Sequence, residues 1–203
     1  MANGKVITGF SKPYVALYAP NSGSPTYSSG QPLARGVDVS VEAETGDAVT
    51  FYADNVAAES AGGVFTGATV TLTVDGLKDA ARKLIMGLPA AESKTINGAS
   101  VDIYKYDDRQ AIPYVGIGFI IRYMEDAVTS YQPVIFNKAV FNVDGIEAAT
   151  QEENIEFQTT ELSASLMRDD SANHVWRMVA AEQTTEQAAE NIVRNLLGIN
   201  TTI

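Results

Sequence analysis

The chain contains no cysteine, one histidine and one tryptophan. Without cysteine there can be no disulfide, no thiol nucleophile and no thiolate metal site. The fold must then be held by packing and strand pairing, or by association with other copies. A zinc centre needs several His or Cys ligands, more than the chain can supply. His174 stands two residues before Trp176 with no Ser or Cys nucleophile motif around it, so its expected role is structural hydrogen bonding.

Long apolar runs are also missing. The longest, AIPYVGIGFII (111–121), is too short to cross a bilayer and is broken by proline and glycine. The opening MANGKVITGF lacks the apolar core of a signal peptide, which predicts a protein made in a cytoplasm and no membrane binding by this chain. Positive charge is scarce: 14 Lys and Arg face 25 Asp and Glu, a formal net charge of −11. That balance argues against an electrostatic grip on nucleic acid or an anionic membrane, and favours solubility or a basic partner.

The familiar catalytic patterns are absent as well. Carboxylates are adjacent at Asp107–Asp108, Glu152–Glu153 and Asp169–Asp170, the usual mark of solvated turns. Catalytic carboxylate pairs come instead from separate elements meeting in a cleft, and no run has the alternating acids and central glycine of a calcium loop. Gly62-Gly63 and Gly116-x-Gly118 do not fit a dinucleotide fingerprint. No cofactor, metal or catalytic residue is expected, and the expected class is non-enzymatic.

What remains is a pattern of strands. A chain of 203 residues that is 45% hydrophobic can bury a real core, which suggests one domain over 1–203. Residues 1–33 have few regular signals, and the Gly-, Ser- and Pro-rich 20–32 reads as a flexible arm or loop. In VDVSVEAE (37–44), Val37, Val39, Val41 and Ala43 alternate with Asp38, Ser40, Glu42 and Glu44, a strand with one dry and one wet face. Thr45-Gly46 then predicts a turn, and DAVTFYA (47–53) a returning partner strand. Residues 55–67, small and glycine-rich, read as a flexible excursion.

Further strands are expected at 68–74, 102–107, 113–124, 131–143, 154–168 and 174–181. A helix near 76–87 is predicted from an Asp75 cap and a stripe of Leu77, Ala81, Leu84, Ile85 and Leu88. A C-terminal helix near 184–198 is predicted from Thr184 and Gln187 at capping-box spacing. The fold class is mainly β (α+β), an antiparallel sandwich or barrel with one flanking helix and one C-terminal helix. The stripe of Asp38, Ser40, Glu42 and Glu44 is either an ordinary solvent face or a surface that must not hold a polyanion.

Several stretches in order resemble the major tail proteins of long non-contractile-tailed phages and prophages of Gram-positive bacteria. LARGVDVSVEAETGDAVTFYADN (33–55) is similar to a segment of that family ending in Phe-Tyr-Ala-Asp-Asn. GATVTLTVDGLKDAARKLIMG (67–87), YKYDDRQAIPYVGIGF (104–119) and ATQEENIEFQTTELSASLM (149–167) resemble its later strands and helix. The resemblance implies a tail tube subunit: hexameric rings that stack into a hollow tube conducting DNA from capsid to host.

The implied partners are further copies of the chain, a tape measure protein, a tail terminator and tail-tip or baseplate proteins, with DNA only as transported cargo. The implied location is the virion. The acidic stripe, with Glu156 and Gln158, becomes the candidate lumen. Tyr27, Tyr52, Asp54, Asn55, Glu59 and Phe65 become candidates for contacts between subunits or rings. The alternatives are a tube protein of a contractile or type VI-like injection system, a tail or head decoration protein, and a carbohydrate-active or metal-assisted enzyme on a β-sandwich.

Overall fold

A computed structural model describes residues 4–143, 145, 150 and 157–199. Fourteen elements follow in the order β1 (Val6–Ala19), β2 (Thr26–Pro32), β3 (Gly36–Thr45), β4 (Val49–Ala53), β5 (Val56–Ala61), β6 (Phe65–Val74), α1 (Asp79–Met86), β7 (Glu92–Ile96), β8 (Ala99–Ile103), β9 (Val115–Glu125), β10 (Val128–Phe141), β11 (Thr160–Met167), β12 (Arg177–Val179) and α2 (Glu186–Leu196). The mainly β, antiparallel architecture with two helices is the one expected from the sequence.

The main sheet runs β2-β1-β9-β10-β11-β6-β3, and β12 pairs with β10 beside β11. It folds back on itself around one core. Val15 of β1, Ile117 and Phe119 of β9 and Phe136 of β10 meet Val70, Leu72 and Val74 of β6 and Leu162 and Leu166 of β11. Where β1 approaches β3, the Phe10 ring leaves no room for a side chain at Gly36: a Cβ there would lie 2.3 Å from it. The inward Ile85 and Met86 of α1 complete this core.

A second apolar layer lies on the opposite face of β1, β9 and β10. Ala189, Val193 and Leu197 of α2 and its C-terminal turn cover Tyr14, Ala16, Ile120 and Ile135. Strands β9 and β1 are therefore buried on both faces, which explains the continuous run at 115–120 in place of an alternating one. α2 is also tied by polar contacts. Glu190, only 6% exposed, accepts hydrogen bonds from the Tyr14 hydroxyl and from Lys12 Nζ, and Ser11 donates to Glu186.

Several local expectations are corrected. Within the segment expected as a flexible arm over 1–33, Val6–Ala19 and Thr26–Pro32 are strands: β1 pairs with β9 and β2 pairs with β1. Bulges between Ser11 and Tyr14 and between Val15 and Leu17 slip the register, so the period-two signal that would have marked the strand is lost. The reversal expected at Thr45-Gly46 is absent, because β3 pairs with β6 and β4 pairs with β5. The excursion 55–67 is ordered as β5 and the start of β6.

Finally, the helix caps differ. Asp75 does not cap α1; Lys78 occupies the cap position, and Asp75 binds Arg35. On α2 the cap is Thr185, whose hydroxyl accepts from the Ala188 N–H, and not Thr184. Elsewhere the boundaries shift: the strand expected at 102–107 is β8, which ends at Ile103. It pairs with β7 across an Asn97-Gly98 turn in which both residues have positive φ.

Candidate functional site: an acidic face and a projecting hairpin

Strands β3 through β6 form one long hairpin. Its two legs run antiparallel from Gly36↔Val74 to Thr45↔Phe65, then continue as β4 and β5. The reversal is at Asp54-Asn55, with φ of 52° and 64°. A two-residue turn with both φ positive is type I′, whose twist matches the strands, and Asp and Asn tolerate that region. Gly63 is needed where the legs approach each other: a Cβ on it would fall 1.8 Å from the Gly46 carbonyl oxygen. The Gly46 N–H donates to the Val64 carbonyl there, at 2.9 Å.

The hairpin has two distinct surfaces. Along β3, Val39 and Val41 pack towards the core while Asp38, Ser40, Glu42 and Glu44 stay exposed on the other side. Across the ladder these meet Thr73, Thr71, Thr69 and Gly67 of β6. The same threonines sit opposite Glu161, Ser163 and Ser165 of β11. Residues directly opposite in an antiparallel pair share a face. The outcome is a three-stranded surface of carboxylates and hydroxyls, and residues 36–74 include neither lysine nor arginine.

Beyond Thr45 the hairpin leaves the core. Val49 is 71% exposed, Phe51 and Tyr52 are each 65% and Val56 is 66%. In a strand, neighbouring side chains point to opposite faces, so both faces of this arm carry apolar groups. Phe51 stands opposite Glu59, and Tyr52 opposite Ala57.

The sequence-derived residues divide accordingly. Asp38, Ser40, Glu42 and Glu44 do share one face, and Tyr52, Asp54, Asn55 and Glu59 come together on the projecting arm. Glu156 lies outside the described residues, and Gln158 precedes β11 without belonging to it. Tyr27 and Phe65 are used within the chain. The Tyr27 hydroxyl donates to the Asn137 carbonyl at 3.0 Å, and the Phe65 ring stacks on Trp176 with centroids 4.3 Å apart. Thr69, Thr71, Thr73, Glu161, Ser163 and Ser165 belong to the acidic face but were not foreseen. Period-two hydroxyls in TVTLT and ELSAS were the available signal.

The remaining polar groups serve the fold. Asp169, expected in a solvated turn, is only 3% exposed. Burial would raise its pKa, but the Ser171 hydroxyl, the Asn137 amide and the Ser171 N–H all donate to the carboxylate, outweigh that and hold it below its ordinary value. Asp170 accepts from Lys138 and Tyr18. His174 places Nδ1 3.3 Å from the Asp169 carbonyl oxygen. Asp107 is held down to about 2, chiefly by the Arg109 side chain and then by its backbone N–H.

Among the described residues no three His, Asp or Glu side chains gather where they could hold a metal ion. None of the described helices is long and apolar enough to cross a membrane. No protein-family model matches the chain, and no curated protein is significantly similar to it.

Proposed function

We propose that this protein is a tail tube subunit, a structural virion protein that forms rings which stack into a hollow, DNA-conducting tube. The observation that carries the reading is the projecting β4–β5 arm, whose Val49, Phe51, Tyr52 and Val56 have no core to cover them. Exposed apolar groups on both sides of a narrow arm suit a contact with another copy. The two edge strands of the main sheet, β2 and β3, support the reading too, since an open edge can continue a neighbour's sheet.

Magnitudes favour a cooperative assembly over a pair. The arm offers on the order of 300 Å² of apolar area, about 7 kcal/mol gross at ~25 cal/mol per Å². Bringing two proteins together costs about 4–15 kcal/mol, so a single arm barely offsets it. Several arms engaged at once across a ring interface gain from effective concentration. The carboxylate and hydroxyl face then suits a lumen: DNA has dense negative charge and slides past a like-charged wall, where cations would hold it. Tape measure, terminator and tip proteins would be the further partners.

Electron microscopy of the purified protein at rising concentration tests this. Rings or tubes with a central channel are the expected outcome. A monomer that stays monodisperse at every concentration, with neither rings nor tubes, overturns the reading.

A further inference from the structure

At the end of the long hairpin away from its tip lies a cavity of about 590 Å³. Lys12, Arg35 and Lys78 stand around it, with Pro13, Pro32 and Ala34 as apolar lining. Arg35 immediately precedes β3 and Asp75 immediately follows β6, whereas β4 and β5 leave from the other end of the same two strands. Cavity and tip are therefore separated by the full length of the β3–β6 ladder. Ten residues of strand span about 30 Å.

The charges of the two ends are complementary. Two of the cavity's cations are partly matched: Arg35 donates Nε–H to Asp75, and Lys12 pairs with Glu190. Lys78 has no ion-pair partner among the described residues. With both acids counted, the cavity keeps a net positive charge on a chain whose formal charge is −11. The tip presents the Asp54 carboxylate between the exposed Tyr52 and Val56.

We infer that the Lys12/Arg35/Lys78 cavity is the socket for the β4–β5 tip of a second copy of this chain. Asp54 meets the cations, led by the unpaired Lys78, and Tyr52 and Val56 cover Pro13, Pro32 and Ala34. The cavity lies within the roughly 300–1,000 Å³ that takes a compact ligand, enough for a two-residue turn and a flanking side chain. Because tip and socket are different patches at opposite ends, the contact is heterologous and repeats by translation along the hairpin. It rests on the tube reading above and gives the contact between successive rings a donor and an acceptor.

The cysteine-free chain makes the test clean. An Asp54→Cys/Lys78→Cys variant is assembled and treated with a short bis-maleimide, since an Asp–Lys contact is too long for a direct disulfide. A ladder of covalent dimers, trimers and higher species on a denaturing gel is expected. Each single-cysteine variant should give dimers at most, because a chain with one thiol can form only one cross-link. A double variant that assembles normally yet matches the singles overturns the socket.

Lys78→Glu is the second arm of the test, read by the concentration at which half the protein assembles. It should rise about tenfold, the loss of one attractive contact, while Lys78→Arg leaves it unchanged. A Lys78→Glu protein that assembles like the parent also overturns the socket. If the parent chain itself forms no rings or tubes, the failure is of the tube reading.

Discussion

The Tyr14 hydroxyl donates a 2.5 Å hydrogen bond to the Glu190 carboxylate, joining β1 to the underside of α2. Burial and then this bond push the Tyr14 phenol up to about 12. On Glu190, burial acts to raise the pKa, but Lys12 and then Tyr14 outweigh it and hold the carboxyl below its ordinary range.

The two signs define a pH window for α2. A depressed carboxyl contributes stability above its unfolded pKa and loses it as pH falls through the folded value. A raised phenol contributes below its unfolded pKa near 10 and loses that contribution as pH climbs towards about 12. Urea midpoints should therefore be flat near neutrality and fall at both extremes. Tyr14→Phe should cost about 1.5–3 kcal/mol at pH 7, the range for a hydrogen bond to a charged group, and should shrink the alkaline limb without removing it, because burial raises Tyr18 and Tyr27 as well. A variant with an unchanged midpoint would mean that the bond contributes nothing to docking the helix.

Gly118 makes a second prediction on the same interface. A Cβ there would lie 2.7 Å from Val193 Cγ1, 2.9 Å from Ile135 Cδ1 and 3.0 Å from Leu197 Cδ1. Gly118→Ala must move α2 or strain the strand, at a cost of about 1–3 kcal/mol, the usual range for overpacking. Thermal unfolding followed by the fluorescence of Trp176, the one tryptophan, measures it.

How much of this was legible in the sequence depended on phase and turn chemistry. The alternation of 37–44 located β3 and its wet face, because that strand is covered on one side only. It could not reveal the partner, since pairing β3 with β6 and not β4 depends on where the chain reverses. The residue types at Asp54-Asn55 carry that information through their tolerance of positive φ, which an aromatic-rich run beside them obscured. β1 was hidden by its bulges, whereas β9 was legible as the strand expected at 113–124 even though burial on both faces removes its alternation. The acidic face was half visible: Glu161 is contributed by β11, and only the register across β6 joins it to Glu42 and Asp38.

That face yields the third prediction. Asp38, Glu42 and Glu44 are exposed and lie on an edge strand, so replacing all three with Lys should shift stability by little, about 0.5 kcal/mol per site. The assembled variant should bind DNA in a gel-shift assay at low salt and release it as salt rises, whereas the parent should not bind at all. In an infectious particle, DNA ejection should be impaired. Normal ejection by the variant would place these residues away from the lumen.

The last prediction separates folding from assembly. Phe51, Tyr52 and Val56 are largely exposed on an arm that continues from the two legs of the hairpin. Replacing Phe51 and Tyr52 with Ser removes apolar area that the isolated chain leaves mostly exposed, so the unfolding midpoint should stay within about 0.5 kcal/mol of the parent. The turn at Asp54-Asn55 and the Gly46–Val64 hydrogen bond remain, so the arm keeps its path. Tube formation, followed by light scattering, should fail at concentrations where the parent assembles. A Phe51→Ser/Tyr52→Ser protein that loses stability instead would show that the arm packs on its own core, and one that assembles normally would show that the stacking contact lies elsewhere. Loss of assembly with the fold intact is the expected result, because these side chains, 65% exposed in the single chain, gain most of their burial from a neighbour.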